Sequence, residues 1–117
     1  MATIRNILID QGSTFSISIQ LTDSDKNPFD LTGYDARSQM RKSYGSITKV
    51  EFTTSTGIDP TLGEITISLT DTQTSTLRAG RYVYDVEILT EVQSGLSVTR
   101  VLEGIITVTP EVTRYDD

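Results

Sequence analysis

Strict alternation of apolar and polar residues is the feature that most limits how this chain folds. The stretch "FSISIQL" carries its apolar side chains at every second position, namely Phe15, Ile17, Ile19 and Leu21. Successive side chains leave a strand on opposite sides, so a period of two residues is typical of a strand with one buried face. The stretch therefore predicts a β-strand that covers a hydrophobic core with one of its faces.

Similar patterns predict six more strands, at residues 3–9, 35–42, 47–52, 63–69, 81–89 and about 96–108. Turn residues separate them, and residues 53–63 and 92–95 are predicted to be a loop and a hairpin turn. The chain has 19 threonines and 12 serines, and threonine favours half-exposed strands. We expect one all-β domain over residues 1–117, an Ig-like antiparallel β-sandwich of about seven strands with a short polar tail at 111–117.

The segment "TDTQTSTLRAGRY" interrupts this pattern and predicts one short helical turn. Thr70 and Gln73 have the spacing of a capping box, in which each side chain satisfies a free amide at a helix start. Leu77, Gly80 and Tyr82 then follow the pattern of a tyrosine corner, which clamps a crossover in Ig-like sandwiches. Two interpretations of Tyr82 stay open, the corner and an ordinary core tyrosine.

The residue types that the chain lacks exclude several kinds of chemistry. With no histidine and no cysteine, disulfides and nucleophiles activated by histidine are excluded. The glycines occur singly and the carboxylates are scattered, so we expect no enzyme, no cofactor and no small-molecule substrate. A net charge of −6 argues against nucleic acid as the main partner.

The sequence shows no pattern that predicts a signal peptide or a membrane span. No apolar run approaches the roughly 18 residues of a membrane span. The N-terminal residues lack the pattern of a signal peptide. We therefore expect a soluble protein that is made in a cytoplasm and has no membrane partner.

The stretch "TDSDKNPFDLTGY" raises the question of a calcium site. Asp23, Asp25 and Asn27 match the first three ligand positions of a calcium-binding loop. Such a loop also needs glycine at its sixth position and glutamate at its twelfth, where this chain has Pro28 and Tyr34. We interpret the stretch as a turn between strands, because Asp, Asn and Pro favour turns; an adventitious cation is the alternative.

Basic residues dominate one segment of this acidic chain. From residue 37 to 49 there is no acidic residue and there are four basic ones, namely Arg37, Arg41, Lys42 and Lys49. One interpretation is a solvated face or an edge strand protected by charge. The other is a docking surface for an acidic neighbour, which includes another copy of the same protein.

Longer stretches resemble a known group of proteins. They are "IDQGSTFSISIQLTDSDKNPFDLTGYDARSQMRKS", "GEITISLTDTQTSTLRAGRYVYDVEI" and "VTRVLEGIITVTPEVTR". In order and spacing they resemble the Ig-like N-terminal domain of phage upper-baseplate proteins and similar small virion proteins of myoviruses, over roughly residues 4–114. The resemblance implies a β-sandwich that attaches to other virion proteins.

The function expected from this resemblance is a non-enzymatic structural protein of a tailed-phage virion, made in the host cytoplasm and present in several copies or as a homo-oligomer. The sequence departs from those baseplate proteins because no shaft or receptor-binding module follows the domain up to Asp117, which argues against direct binding to the host. We expect a tail or baseplate adaptor. Capsid or neck decoration is one alternative. A glycan- or receptor-binding module that uses Tyr34, Tyr44 and Tyr115 is another. The candidate contact residues are Arg37, Arg41, Lys42, Lys49, Ile4, Arg5, Arg114 and Tyr115.

Overall fold

The computed structural model describes residues 2–113, in which two β-sheets pack face to face. The larger sheet contains β1 (Thr3–Ile4), β2 (Ile7–Asp10), β4 (Asp35–Arg41), β5 (Val50–Glu51), β8 (Gly80–Val92) and β9 (Gly95–Thr109). The smaller sheet contains β3 (Phe15–Gln20), β6 (Thr53–Ser55) and β7 (Glu64–Leu69). These two layers confirm the predicted all-β, Ig-like sandwich.

The order of strands in the larger sheet is β1-β9-β8-β4-β5, and β2 continues the edge that β1 begins. Both β1 and β2 run parallel to β9, while the other pairs are antiparallel. In the smaller sheet the order is β3-β7-β6, with both pairs antiparallel. The N-terminal segment therefore forms one edge of the larger sheet, where it pairs with the last strand.

A long hairpin sets the shape of the molecule. Strands β8 and β9 have 13 and 15 residues, and at about 3.3 Å per residue they match the longest dimension of 51 Å. Pairing of β8 with β4 ends at Leu89, and pairing of β9 with β1 begins at Leu102. Residues 90–101 thus form a two-stranded ribbon at the end of the larger sheet, and we call it the hairpin tip.

The core lies between the two sheets and follows the predicted alternation. Ile65, Ile67 and Leu69 of β7 are buried, as are Met40 of β4 and Val86 of β8. Seventeen hydrophobic side chains within residues 2–113 form this one cluster. The strands that cover the core, such as β2 and β7, therefore contribute every second residue to the interior, as a one-sided strand requires.

Within residues 2–113 the structure divides the strands into nine segments, against about seven expected. One difference is the interruption of the first predicted strand between β1 and β2. The other is β6, which lies in a segment predicted to be a loop. The predicted strand at 47–52 is also shorter than expected, because only Val50 and Glu51 pair in the larger sheet and Ile47 is exposed. The chain then buries Phe52 and enters the smaller sheet at Thr53.

Arg5 and Asn6 interrupt the first strand between β1 and β2, and specific contacts hold them against β9. We call these two residues and their contacts the joint. The Arg5 amide donates to the Glu103 carbonyl (2.9 Å), and the Asn6 side-chain oxygen accepts from the Ile105 amide (3.1 Å). The Tyr84 hydroxyl donates to the Arg5 carbonyl at 2.6 Å. A Cβ on Gly104 would overlap that carbonyl, so the chain crosses β9 where the side chain is a hydrogen atom.

The predicted helical turn is α1 (Asp71–Ser75), and its capping box is confirmed. The Thr70 hydroxyl accepts from the Gln73 amide (3.2 Å), and the Gln73 side chain accepts from the Thr70 amide (2.8 Å). In the part of the chain that the structure describes, no helix has the length and apolar character that crossing a membrane requires.

Candidate protein-interaction surfaces

The stretch that raised the question of calcium forms a turn. One Asp23 carboxylate oxygen accepts from the backbone amides of Asp25 (2.9 Å) and Asn27 (3.0 Å). Lys26 adopts the left-handed conformation (φ 66°), and the Asp23 amide donates to the Asn27 carbonyl (2.8 Å). The carboxylate that would be the first calcium ligand therefore stabilises its own loop, as turn-forming aspartates do.

Two loops and the hairpin tip meet at this end of the sandwich. The Leu31 amide donates to the Pro60 carbonyl (2.9 Å), which joins the 21–34 loop to the 56–63 loop. The Thr90 hydroxyl donates to the Gly33 carbonyl (2.9 Å), which joins the hairpin tip to the first loop. Leu31 itself is fully buried, so a core side chain fixes the loop that it belongs to.

The basic segment 37–49 is partly neutralised by tertiary contacts. Arg37 pairs with Glu87 (Nε–Oε1 2.7 Å) and Lys49 pairs with Glu51 (3.1 Å). Glu87 lies 50 residues away from Arg37 in the chain and comes beside it through the pairing of β4 with β8. The sequence pattern alone does not reveal this carboxylate, so the positive surface is smaller than the segment suggests.

Arg37 belongs to a charged network on the solvent face of the larger sheet. Arg100 lies 3.4 Å from Asp85 and 3.3 Å from Glu103. Burial raises the pKa of Asp85, the negative charge of Glu87 raises it further, and Arg100 opposes both effects. The network lines a depression of about 480 Å³ whose positive and negative side chains balance, so the depression favours no ligand of one charge.

The other two basic residues of segment 37–49, Arg41 and Lys42, have no carboxylate partner in residues 2–113. Arg41 donates to the Ser46 carbonyl (2.6 Å) and to the Gln39 side chain (3.0 Å). The Lys42 ammonium lies 4.7 Å from the centre of the Tyr82 ring, within the range of a cation–π contact. These two residues keep their positive charge available to a partner.

Tyr82 makes the contact that the corner interpretation requires. Its hydroxyl donates to the Arg78 carbonyl at 2.8 Å, four residues upstream. Leu77 is buried, and Gly80 adopts φ 134°, a conformation that other residues rarely adopt. Whether this bond clamps the crossover energetically stays a prediction.

We expect Tyr82→Phe to lower the free energy of unfolding by about 1 kcal/mol, since it removes one hydrogen bond and keeps the ring and its contact with Lys42. Urea denaturation at neutral pH measures the change. Tyr34→Phe is the matched control, because the Tyr34 hydroxyl makes no hydrogen bond within residues 2–113. Equal stabilities of the two variants would contradict the corner.

The remaining predicted contact residues have different environments. The Ile4 side chain is exposed on the edge strand β1, while Arg5 acts through its backbone in the joint beside Gly104. Arg114 and Tyr115 lie outside the described residues. Tyr34 packs edge-on against Phe29 (centroids 5.6 Å apart), so among residues 2–113 only Tyr44 is a strongly exposed aromatic residue. No cluster of exposed aromatic side chains forms in this part of the chain.

The sequence pattern does not predict two exposed surfaces, which are the free edge of β3 and the hairpin tip. Strand β3 pairs with β7 alone, so its other edge has no strand partner within residues 2–113. The hairpin tip exposes apolar residues such as Val92, Leu96 and Val98. The alternation in "EVQSGLSV" is the signal for a longer hairpin, whereas nothing in a strand's own sequence says that it lies at an edge.

Among solved structures, the fold is similar to the N-terminal domain of ORF48 of phage TP901-1. The TM-score is 0.57 and the identity 10%, over 87% of this chain and 82% of that one. AggA, the major subunit of aggregative adherence fimbriae type I from Escherichia coli, gives a TM-score of 0.42 and 14% identity, over 89% of each chain. No family model and no curated protein matches the sequence. The first likeness shows that this Ig-like β-sandwich is a fold that occurs in a phage protein.

Proposed function

We propose that the protein is a non-enzymatic structural protein of a tailed-phage virion, where it docks to neighbouring virion proteins as a tail or baseplate adaptor. The observation that carries the proposal is the likeness of fold to the phage TP901-1 domain over 87% of the chain. The resemblance of residues 4–114 to domains of phage upper-baseplate proteins supports the same function. A fold alone does not determine function, so the proposal also depends on the surfaces of the molecule.

The surfaces of the sandwich suit attachment to other proteins. The open edge of β3 offers backbone amides and carbonyls to a strand of a neighbour, and its exposed side chains are Ser16, Ser18 and Gln20. Natural edge strands are commonly protected by lysine, proline or bulges, none of which occurs in β3. Strand addition at this edge is therefore the docking mode that we favour.

Quantitative mass spectrometry of purified virions tests the proposal, with copy number measured relative to the major capsid protein. We expect a small multiple of three or six copies per particle, since tail and baseplate assemblies have closed symmetry. A copy number equal to that of the capsid protein, or a fixed simple fraction of it, would instead indicate capsid decoration. Absence from the particle would rule out a virion protein of either kind.

A further inference from the structure

Acidic residues concentrate at the end of the molecule where the 21–34 loop, the 56–63 loop and the hairpin tip meet. This end, which we call the acidic end, contains Asp23, Asp25, Asp30, Asp35, Asp59, Glu64 and Glu91, with Lys26 as its single basic residue. Its net charge of −6 equals that of the whole chain, because the other nine acidic and nine basic residues cancel. The charge of the protein is therefore strongly polarised.

Turn formation accounts for only part of this acidity. Asp23, Asp30 and Asp59 accept hydrogen bonds inside their own loops. The side chains of the other four, Asp25, Asp35, Glu64 and Glu91, make no hydrogen bond or ion pair with any residue from 2 to 113. Their charges remain available at the surface.

The acidic end also exposes apolar side chains. Ile58 and Leu62 project from the 56–63 loop, and Val92 and Leu96 project from the hairpin tip, where the Leu96 side chain is 57% exposed. Exposed apolar patches that are rimmed by polar residues mark protein-interaction sites, and the apolar side chains of the acidic end lie among charged ones.

A complementary surface lies at the opposite end of the strands. Arg41 is the last residue of β4 and Lys42 follows it. Arg78 and Arg81 lie on either side of Gly80 at the start of β8, and the Lys42 ammonium lies beside Gly80. We call these four residues the basic corner. None of them has a carboxylate within 4.0 Å in the described part of the chain.

The basic corner, like the acidic end, has apolar neighbours. The loop between β4 and β5 exposes Tyr44 (83%) and Ile47 (95%). Strand β4 starts at the acidic end with Asp35 and finishes at the basic corner with Arg41, so the two surfaces lie at opposite ends of this seven-residue strand. They cannot meet within one copy of the chain.

We infer that the acidic end of one copy docks onto the basic corner of a second copy. Charge complementarity between two surfaces of the same chain is the argument for this partner, and both surfaces bring apolar side chains that the contact would bury. Because the two patches differ, the contact is head-to-tail and builds a ring or a row of copies rather than a closed symmetric pair. The inference goes beyond the proposed function, since self-association needs no other virion protein.

Sedimentation velocity of the purified protein over a range of concentrations tests this contact. We expect self-association at about 50 mM NaCl that weakens at about 500 mM, because salt screens exposed charges. We also expect the acidic-end variant Asp25→Lys/Glu91→Lys and the basic-corner variant Arg78→Glu/Arg81→Glu each to raise the dissociation constant at least about tenfold. Circular dichroism spectra and thermal melting curves check that both variants fold.

Mixing the two variants gives the decisive result. In a head-to-tail contact, the unchanged basic corner of the first variant fits the unchanged acidic end of the second, so an equimolar mixture regains association. Glu87→Lys/Glu103→Lys is the control, since it makes the same change in net charge as the acidic-end variant in the middle of the larger sheet, where Glu87 lies opposite Arg37 and Glu103 opposite Asp85, and it should leave association intact. The inference fails if the wild type stays monomeric at low salt, if neither variant weakens association, or if the mixture stays monomeric. None of these results depends on whether the protein is found in virions.

Discussion

We expect the replacement of Gly104 with alanine to lower the free energy of unfolding by about 3 kcal/mol, because the added methyl group meets backbone instead of a movable side chain. The ideal Cβ position at residue 104 overlaps the Arg5 carbonyl and also approaches the Asn6 side chain. The backbone of β9 is fixed by pairing with β8 on its other side, so the N-terminal segment has to move.

Displacement of that segment breaks the whole joint. The hydrogen bonds at risk are those from the Tyr84 hydroxyl to Arg5 and from the Ile105 amide to Asn6, together with the short ladder of β1. Each lost bond contributes about 1 kcal/mol, in addition to the strain. Urea denaturation measures the total, and hydrogen exchange should show that the amides of β1 and β2 lose protection before those of β7.

Gly45→Ala is the matched control. Gly45 lies in the loop between β4 and β5, where its backbone is not left-handed and an added Cβ meets no atom within 4 Å. We expect this variant to stay within about 0.5 kcal/mol of the wild type. If Gly104→Ala has an equally small effect, the crossing of Arg5 over β9 does not constrain residue 104.

Local patterns predict much of the fold. Alternation identifies β3, β4, β7 and the hairpin because a one-sided strand repeats every two residues. The capping box at Thr70 is likewise local, since its two hydrogen bonds join residues three apart. The short β6 escapes prediction because "TTS" has no apolar alternation and is held as a strand by pairing with β7.

The candidate surfaces are less predictable, because they depend on contacts between distant residues. The ion pair of Arg37 with Glu87 needs the register of β4 on β8. The acidic end needs three separate segments to meet, and each of them alone looks like an ordinary polar turn. A single segment of sequence therefore predicts the basic residues near Arg41 but not the acidic surface that complements them.

We expect the free energy of unfolding to fall steeply above pH 10 because of Tyr84, whose hydroxyl bonds to Arg5 in the joint. Burial raises the pKa of its phenol from 10.0 to about 12, and the positive charge of Arg5 offsets this only in part. The side chain is 4% exposed and its hydroxyl donates to the Arg5 carbonyl, a bond that the phenolate cannot make. Deprotonation is therefore harder in the folded chain than in the unfolded chain.

This difference fixes the sign of the pH dependence. Between pH 10 and about 12 the unfolded chain loses the phenol proton while the folded chain keeps it, so rising pH favours unfolding. The stability that Tyr84 contributes is fully present below pH 10 and decreases by at most about 1.4 kcal/mol per pH unit across that window. Urea denaturation at several pH values from 9 to about 12 measures the decrease.

Tyr84→Phe removes the titrating group and should remove this decrease, at the expense of about 1 kcal/mol at neutral pH for the lost hydrogen bond. Tyr44→Phe is the control, because Tyr44 is 83% exposed and its removal should leave the alkaline decrease unchanged. If the wild type and Tyr84→Phe lose stability in parallel above pH 10, the phenol is not held in its protonated form by the joint. Parallel curves combined with a large effect of Gly104→Ala would mean that the close backbone crossing, and not the tyrosine bond, holds the N-terminal strand in place.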